Sequence, residues 1–576
     1  MNSPIGPGST IYRFLILVIM ASVIGAMVSL LAIAFIECVA WLNDILLISP
    51  RTRIQVQSPY LLTVATLLVP ALGGLLVGWL LQRLSVAKRS LGPAESIRAV
   101  QLRSDLPDSR SGIVSTIAAM VSLGCGASVG QYGPMVYLGS IVGGLTAKLN
   151  FYIPNLQSIA IACGVSAAIS TAFNAPIAGL IFAHEVILRH YSLQAFAPTT
   201  VAAATGYIVA NIVFERPALF LVDFDGVSHG YEFGLFALLG VACAFLATGF
   251  MQLILYSARL AQITKIAPIW RPAIAGLLVG IVALSLPDVL GTGKEALRFA
   301  TIEGAFENRE LALLVIAKIT LTALCVGFGF AGGVFSPSLL IGILFGALFW
   351  SILEVMGIPN AGVAVYAICG MMAMTSPVIG APLTTILIVF ELTRNYDLTI
   401  AAMVAVVFAN LLAYRVFGRS LFDVQLAQKG IDLSFGRDRA MLESVRVIDR
   451  STNQFTSLSS EATVENAIDN LVKDGRTEAT IIDDQGRYQG MLRLQDILQC
   501  SRKSLVSTLM RGEWPQFDEN TSVWLAMLTL DNFIGEAIPI VASNDDKLLG
   551  MITEANLIEA YLETVHELRR EENAAV

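Results

Sequence analysis

Charged residues are scarce in this sequence. Asp, Glu, Lys and Arg make up 14% of its 576 residues, whereas soluble domains carry about 25%. The mean hydropathy of +0.70 points the same way. Together these values exclude an ordinary soluble protein and predict an integral membrane protein. The net charge of −7, with no basic cluster, argues against a nucleic-acid partner.

Metal-ligand and disulfide patterns are missing too. Seven cysteines are scattered without a CxxC pair, mostly in apolar runs, so we expect buried thiols. The four histidines, His184, His190, His229 and His566, have no metal-ligand spacing, so we expect no metal site. We expect no enzymatic activity and no required cofactor.

Two glycine-rich segments without a charged residue, Gly124–Pro134 and Gly327–Pro337, align without a gap at an offset of 203 (327 − 124). Glycine lets the backbone approach a ligand closely, and proline suits the first turn of a helix. Each segment therefore predicts a helix N-terminus whose N–H groups and dipole attract an anion. A matching pair predicts an anion pathway within a membrane. The alternative is that the glycines serve helix packing in lipid.

A second internal match extends the repeat. Residues 162–185 align with 368–391, sharing Cys-Gly, Ala-Pro and a terminal glutamate. We therefore predict an all-α polytopic membrane domain, 1–428, made of two halves of about 1–220 and 230–425. Hydropathy alone does not show whether the halves are inverted.

The composition becomes polar after this domain. Residues 480–497 match 540–557 at an offset of 60 (540 − 480), and each copy has a strand, turn, strand and helix pattern. We predict a linker at 429–444 followed by a duplicated α+β module, with copies at 445–501 and 502–576.

Three sets of residues in the membrane part resemble sequence marks of the CLC chloride channel and transporter family, and the tail resembles a tandem CBS pair. The resemblance implies two inverted repeats with broken helices, a homodimer in the lipid bilayer, and a separate anion pathway in each subunit. It also implies cytoplasmic CBS domains and a bacterial inner membrane or its equivalent. The sets are Gly130-x-x-Gly133-Pro134, Gly333-Val334-Phe335-x-Pro337, and Ser376-Pro377 with Phe390-Glu391-Leu392-Thr393.

The chain departs from the family at the positions that handle protons. Tyr132 stands where the family has its gating glutamate, and a phenol, with an unperturbed pKa of about 10, stays neutral. The inner proton-carrying glutamate aligns with Val186, one residue after Glu185. We therefore expect a passive channel or uniporter for chloride and similar anions. The alternatives are a proton-coupled antiporter using Glu185 and a nucleotide-sensing regulator with little transport. Glu391 is interpreted as structural.

The anion site lacks a donor as well, because Phe422 aligns with a family tyrosine. The neutral Gln131, where the family often has arginine, weakens external attraction. We therefore expect backbone amides to coordinate the anion, since such dipoles allow both entry and release. The expected pathway residues are Gly130, Gln131, Tyr132, Gly133, Val334, Phe335 and Phe422.

The CBS pair suggests an adenine-nucleotide site, whose usual motif has a Ser or Thr three residues before an Asp. The second copy has Thr553 and Asn556, and the first has Arg493 and Asp496, so neither motif is complete. A purely structural role in dimerisation is the alternative.

Overall fold

The computed structural model describes residues 7–102, 106–149, 153, 155–214, 226–227, 229–433, 436–511, 514–530, 533 and 535–572. It divides into one unit that ends at Gly430 and another that begins at Ile431. The predicted boundary of the first half, residue 220, lies outside the described residues.

The described part of the first unit is built from helices. Those of the first half are α1 (Pro7–Ile45), α2 (Pro50–Gln55), α3 (Pro59–Leu84), α4 (Pro93–Leu102), α5 (Ser109–Gly124), α6 (Tyr132–Ala147), α7 (Leu156–Phe173), α8 (Pro176–Phe182, continued by a π-helical stretch, Ala183–Leu188) and α9 (Leu193–Tyr207, continued through Val213). Those of the second half are α10 (Glu232–Ile263), α11 (Arg271–Ala283), α12 (Lys294–Phe299), α13 (Asn308–Gly327), α14 (Phe335–Val355), α15 (Val363–Ile379), α16 (Pro382–Thr393), α17 (Tyr396–Val416) and α18 (Leu421–Ala427).

Many of these helices suit a membrane. Among the described residues, eight are long and apolar enough to cross one. Others, such as α8, α11 and α16, are shorter apolar helices that begin at or next to a proline. Broken helices of this kind are tolerated at membrane depth where protein surrounds them.

Corresponding helices of the two halves pack alike through glycine. A Cβ added at Gly139 of α6 would lie 2.4 Å from the carbonyl oxygen of Gly164 in α7. A Cβ added at Gly342 of α14 would lie 2.5 Å from the carbonyl oxygen of Gly370 in α15. Both pairs therefore need glycine so that their helix backbones can touch. The repeat read from the sequence is thus a repeat of packing as well.

Two glutamates establish that the halves are inverted. Glu185, which follows α8, accepts hydrogen bonds of 2.9 Å from two backbone N–H groups in the first turn of α16. Glu391, near the end of α16, accepts bonds of 2.9 and 2.7 Å from two N–H groups in the first turn of α8. Each helix therefore starts where its counterpart ends, so α8 and α16 are antiparallel. The inverted-repeat expectation is confirmed.

The second unit contains two copies of an α+β fold. Each copy has three strands in sequential order, of which the first pair is parallel and the second antiparallel. The predicted hairpins are confirmed, and a short parallel strand in front of each was missed. The elements are α19 (Arg437–Ser444), β1 (Thr456–Ser459), α20 (Val464–Asp474), β2 (Glu478–Ile482), β3 (Tyr488–Arg493), α21 (Leu494–Ile497), β4 (Phe517–Asp518), α22 (Val523–Thr529), β5 (Ala537–Val541), β6 (Leu548–Thr553) and α23 (Glu554–Glu572).

Candidate anion pathway

The two glycine-rich segments meet inside the first unit. Gly130 and Gly333 exchange backbone hydrogen bonds, with N···O distances of 2.6 and 2.7 Å, and form an antiparallel bridge. Gly126 and Gly329, which also occupy equivalent positions, have φ angles of +83° and +94°. Glycine adopts this left-handed conformation without steric cost. The segments therefore bring the starts of α6 and α14 together.

An aromatic cluster of Tyr132, Phe173, Phe182 and Phe335 lies at these helix starts. The ring of Tyr132 stacks on Phe173 with centroids 4.2 Å apart, and meets Phe335 edge-on at 5.2 Å. Phe335 lies 5.2 Å from Phe173 and 6.5 Å from Phe182. All four rings are buried. Tyr132 is thus held between aromatic neighbours from both halves of the chain.

Two cavities approach this cluster. The first, about 510 Å³, is lined by residues that include Pro93, Gly333, Val334 and Phe422. The second, about 210 Å³, is lined by residues that include Gln131. Gln131 borders one cavity and Val334 the other, so each cavity is lined by the residue directly before a ring of the cluster, Tyr132 or Phe335.

Helix α11 gives the separation of the cavities. Arg271, at its start, lines the first cavity, and Pro287, just past its end, lines the second. The helix has 13 residues, which corresponds to about 20 Å. The cavities therefore reach opposite ends of α11.

The first cavity carries an excess of positive charge. Its lining includes Lys88, Arg89, Arg271 and Lys429, with Glu95 among them. Lys429 forms an ion pair with Glu95, and the Arg89 guanidinium lies 3.5 Å from the same carboxylate. Burial lowers the pKa of the Lys429 ammonium, while Glu95 acts to raise it. Such a lining attracts anions.

Ser90 is a cavity residue that sequence reasoning missed. It lines the first cavity together with Gly92 and Phe422. It precedes the Gly92-Pro93 break before α4 by two residues. The available signal was its position two residues before the Gly-Pro break that starts α4.

Comparisons with known proteins agree with this architecture. The family model described as voltage gated chloride channel matches residues 73–414, and the CBS domain model matches 446–503 and 506–563. The chain is 30% identical over 418 residues to a putative chloride channel protein ClcB-like of Ralstonia nicotianae, covering 72% of this chain and 97% of that protein. The family model covers more than half of the chain.

The chain belongs to the CLC family of chloride channels and transporters.

Solved CLC structures have the same fold. A slow cyanobacterial Cl⁻/H⁺ antiporter is 25% identical, with a TM-score of 0.64, and the match covers 72% of this chain and 97% of that one. A eukaryotic CLC transporter is 19% identical, with a TM-score of 0.62, and that match covers 94% of this chain and 98% of that one. The second match covers almost the whole chain.

The glutamate that could carry protons in this CLC protein is bound to the opposite half. Besides its two backbone bonds, Glu185 accepts a 2.7 Å hydrogen bond from the Thr384 hydroxyl. The next residue, Val186, is buried and apolar. Glu185 therefore caps a helix, as the equivalent Glu391 does, and each carboxylate balances the dipole of the helix it caps.

The candidate nucleotide residues of the CBS pair are engaged with protein partners. Asp496 forms a two-point ion pair with Arg511, at 2.8 and 3.0 Å. Thr553 and Asn556 are hydrogen-bonded to each other, with a side-chain distance of 2.6 Å. Arg493 forms a 3.1 Å ion pair and lies over the Trp514 ring at 4.5 Å. A nucleotide would have to displace these contacts.

Proposed function

We propose that this CLC protein conducts chloride and similar anions passively, as a channel or uniporter, without coupling to protons. The observation that carries the proposal is the contact of the Tyr132 and Phe335 rings, whose preceding residues, Gln131 and Val334, each line one of the two cavities. The Tyr132 ring stands where the family has a gating carboxylate. A neutral phenol does not compete with an anion as a carboxylate does.

Backbone dipoles provide the anion site in this proposal. Val334 and Phe335 lie at the start of α14, where the N–H groups have no preceding helical carbonyl to bond. Tyr132 starts α6 in the same way. The partial positive charge of two helix starts attracts an anion, and the absence of a fixed full charge permits its release.

A proton-coupled antiporter using Glu185 is the second candidate. The likeness to a cyanobacterial Cl⁻/H⁺ antiporter favours it. The bonds of Glu185 to α16 weigh against it, because a proton carrier must exchange protons repeatedly while this carboxylate holds the two halves together. A nucleotide-sensing regulator with little transport is the third candidate.

The assembly of the protein and its location are proposed from its membership of the CLC family. We propose that the protein is a homodimer in a lipid bilayer, that its CBS domains are cytoplasmic, and that the membrane is a bacterial inner membrane or its equivalent. We further propose that it has no enzymatic activity and requires no cofactor. The protein contacts of Asp496 and Thr553 favour a structural CBS pair over an adenine-nucleotide sensor.

The deciding experiment records chloride and proton movement together. Purified protein is reconstituted into liposomes with a chloride gradient, and protein-free liposomes serve as the control. We expect chloride efflux to run until the membrane potential opposes it, with no proton movement beyond the leak. Uphill proton transport driven by the chloride gradient would replace this proposal with the antiporter. No chloride movement from well-folded protein would favour the regulator.

A further inference from the structure

Helix α18, which carries Phe422, is fastened near both ends by ion pairs. Near its start, Asp423 pairs with Arg189, which follows α8. Just past its end, Lys429 pairs with Glu95 of α4. Both partners of the second pair are largely buried, with side-chain exposures of 22% and 16%. The short helix is therefore tied to two elements of the first half.

Glu95 also organises the cavity wall on its own side. Its second carboxylate oxygen accepts a 2.9 Å hydrogen bond from the Gly92 N–H, just ahead of α4. The adjacent Pro93 lies close to the first glycine-rich segment, since a Cβ added at Gly133 would be 3.6 Å from its ring. One carboxylate thus joins the start of α4, beside the bridged segments, to the chain that follows Phe422.

We propose that Glu95 and Lys429 are positioning residues, whose ion pair holds α18 so that Phe422 narrows the first cavity and limits anion passage. This inference rests on the proposed anion conduction. Gly430 closes the first unit one residue later. The pair therefore lies at the point where the chain leaves the membrane unit for the CBS unit.

A purely electrostatic role makes a different prediction. If these residues acted only by their charges, losing Lys429 would lower the anion concentration in the cavity and losing Glu95 would raise it. If they act by position, either loss frees the C-terminal end of α18, while the pair of Asp423 and Arg189 still holds its start. Both substitutions then change the flux in the same direction.

The test compares Glu95→Gln, Lys429→Gln, the double variant and the exchange Glu95→Lys/Lys429→Glu in reconstituted liposomes. We expect chloride flux to rise about two- to fivefold in each single variant, because the pair of Asp423 and Arg189 still holds the other end of α18. Flux in the double variant should rise no further, and the charge-swapped variant should recover only in part, because a lysine at position 95 does not accept the Gly92 N–H and lies beside Arg89. Lys88→Gln, which removes a cation of the same lining, is the control and should lower the flux.

Hydrogen exchange provides a readout that does not depend on transport. The backbone amides of Leu421–Ala427 should exchange hydrogen faster in both single variants. Their exchange rates should fall part of the way back in the charge-swapped variant Glu95→Lys/Lys429→Glu, and Lys88→Gln should leave them unchanged. Opposite flux changes in Glu95→Gln and Lys429→Gln, or unchanged exchange in α18, would overturn the inference. If the wild-type protein moved no anion, the proposed function would fail, while the exchange data would still decide whether the pair positions α18.

Discussion

Tyr132→Ala should open the pathway. The ring contacts Phe173 and Phe335 at centroid distances of 4.2 and 5.2 Å. Aromatic pairs contribute about 0.5–1.5 kcal/mol each beyond their buried area. Two of them would therefore hold the ring in place by about 1–3 kcal/mol. If swinging the ring aside limits conduction, its removal should speed anion flux by about 5- to 150-fold.

The assay is chloride efflux from liposomes at equal protein density, with Tyr132→Phe as the matched control. The phenylalanine variant keeps both ring contacts, so its flux should stay close to wild type. Truncation of a buried aromatic side chain typically costs about 3–5 kcal/mol of stability, so each variant must be monodisperse in detergent. A folded Tyr132→Ala protein whose flux matches Tyr132→Phe, or falls below it, would refute the idea that the ring obstructs the pathway.

The remaining predictions concern the gate, the helix caps and the glycine bridge. Tyr132→Glu should make flux rise as the pH falls, because an ionised carboxylate competes with the anion and a protonated one does not; a flat pH profile would show that this position is not the gate. Glu185→Gln and Glu391→Gln should each weaken one helix cap by about 0.5–2 kcal/mol. The two variants should therefore show equally lowered Tm values in detergent, and neither should change proton movement. Loss of a measured proton flux in Glu185→Gln alone would instead identify a proton carrier. Gly130→Ala places a Cβ 2.8 Å from a carbonyl oxygen of the other glycine-rich segment and should abolish conduction. Gly234→Ala, whose Cβ would meet nothing within 4 Å, is its control, and equal flux in the two would contradict the close approach.

The glycine-rich segments show how much of the site a sequence pattern can predict. Their alignment predicted two equivalent helix starts, and the structure bonds Gly130 to Gly333 there. The alternative, helix packing, holds at Gly327 of the second segment, whose added Cβ would lie 2.7 Å from the Ser257 backbone of α10, and at glycines outside the segments such as Gly139 and Gly342. Both uses of glycine follow from the missing Cβ. The pattern alone did not separate them, because the difference is whether the nearby backbone belongs to the equivalent segment of the other half or to a packed helix.

Other features had no local signal. Glu185 and Glu391 read as matching intramembrane acids, and their reciprocal capping appears only once α8 and α16 are antiparallel. The pair of Glu95 and Lys429 joins residues more than 300 positions apart, and neither is unusual in its own surroundings.

The sequence by itself determined a charge-poor membrane domain, its internal repeat and the duplicated CBS tail, because these depend on composition and on residue identity at aligned positions. Only the tertiary structure decided that the halves are inverted, that Tyr132 meets Phe335 of the other half, and that α18 is tied to α4. Those facts depend on contacts between distant segments, and such contacts are set by how the helices pack against one another.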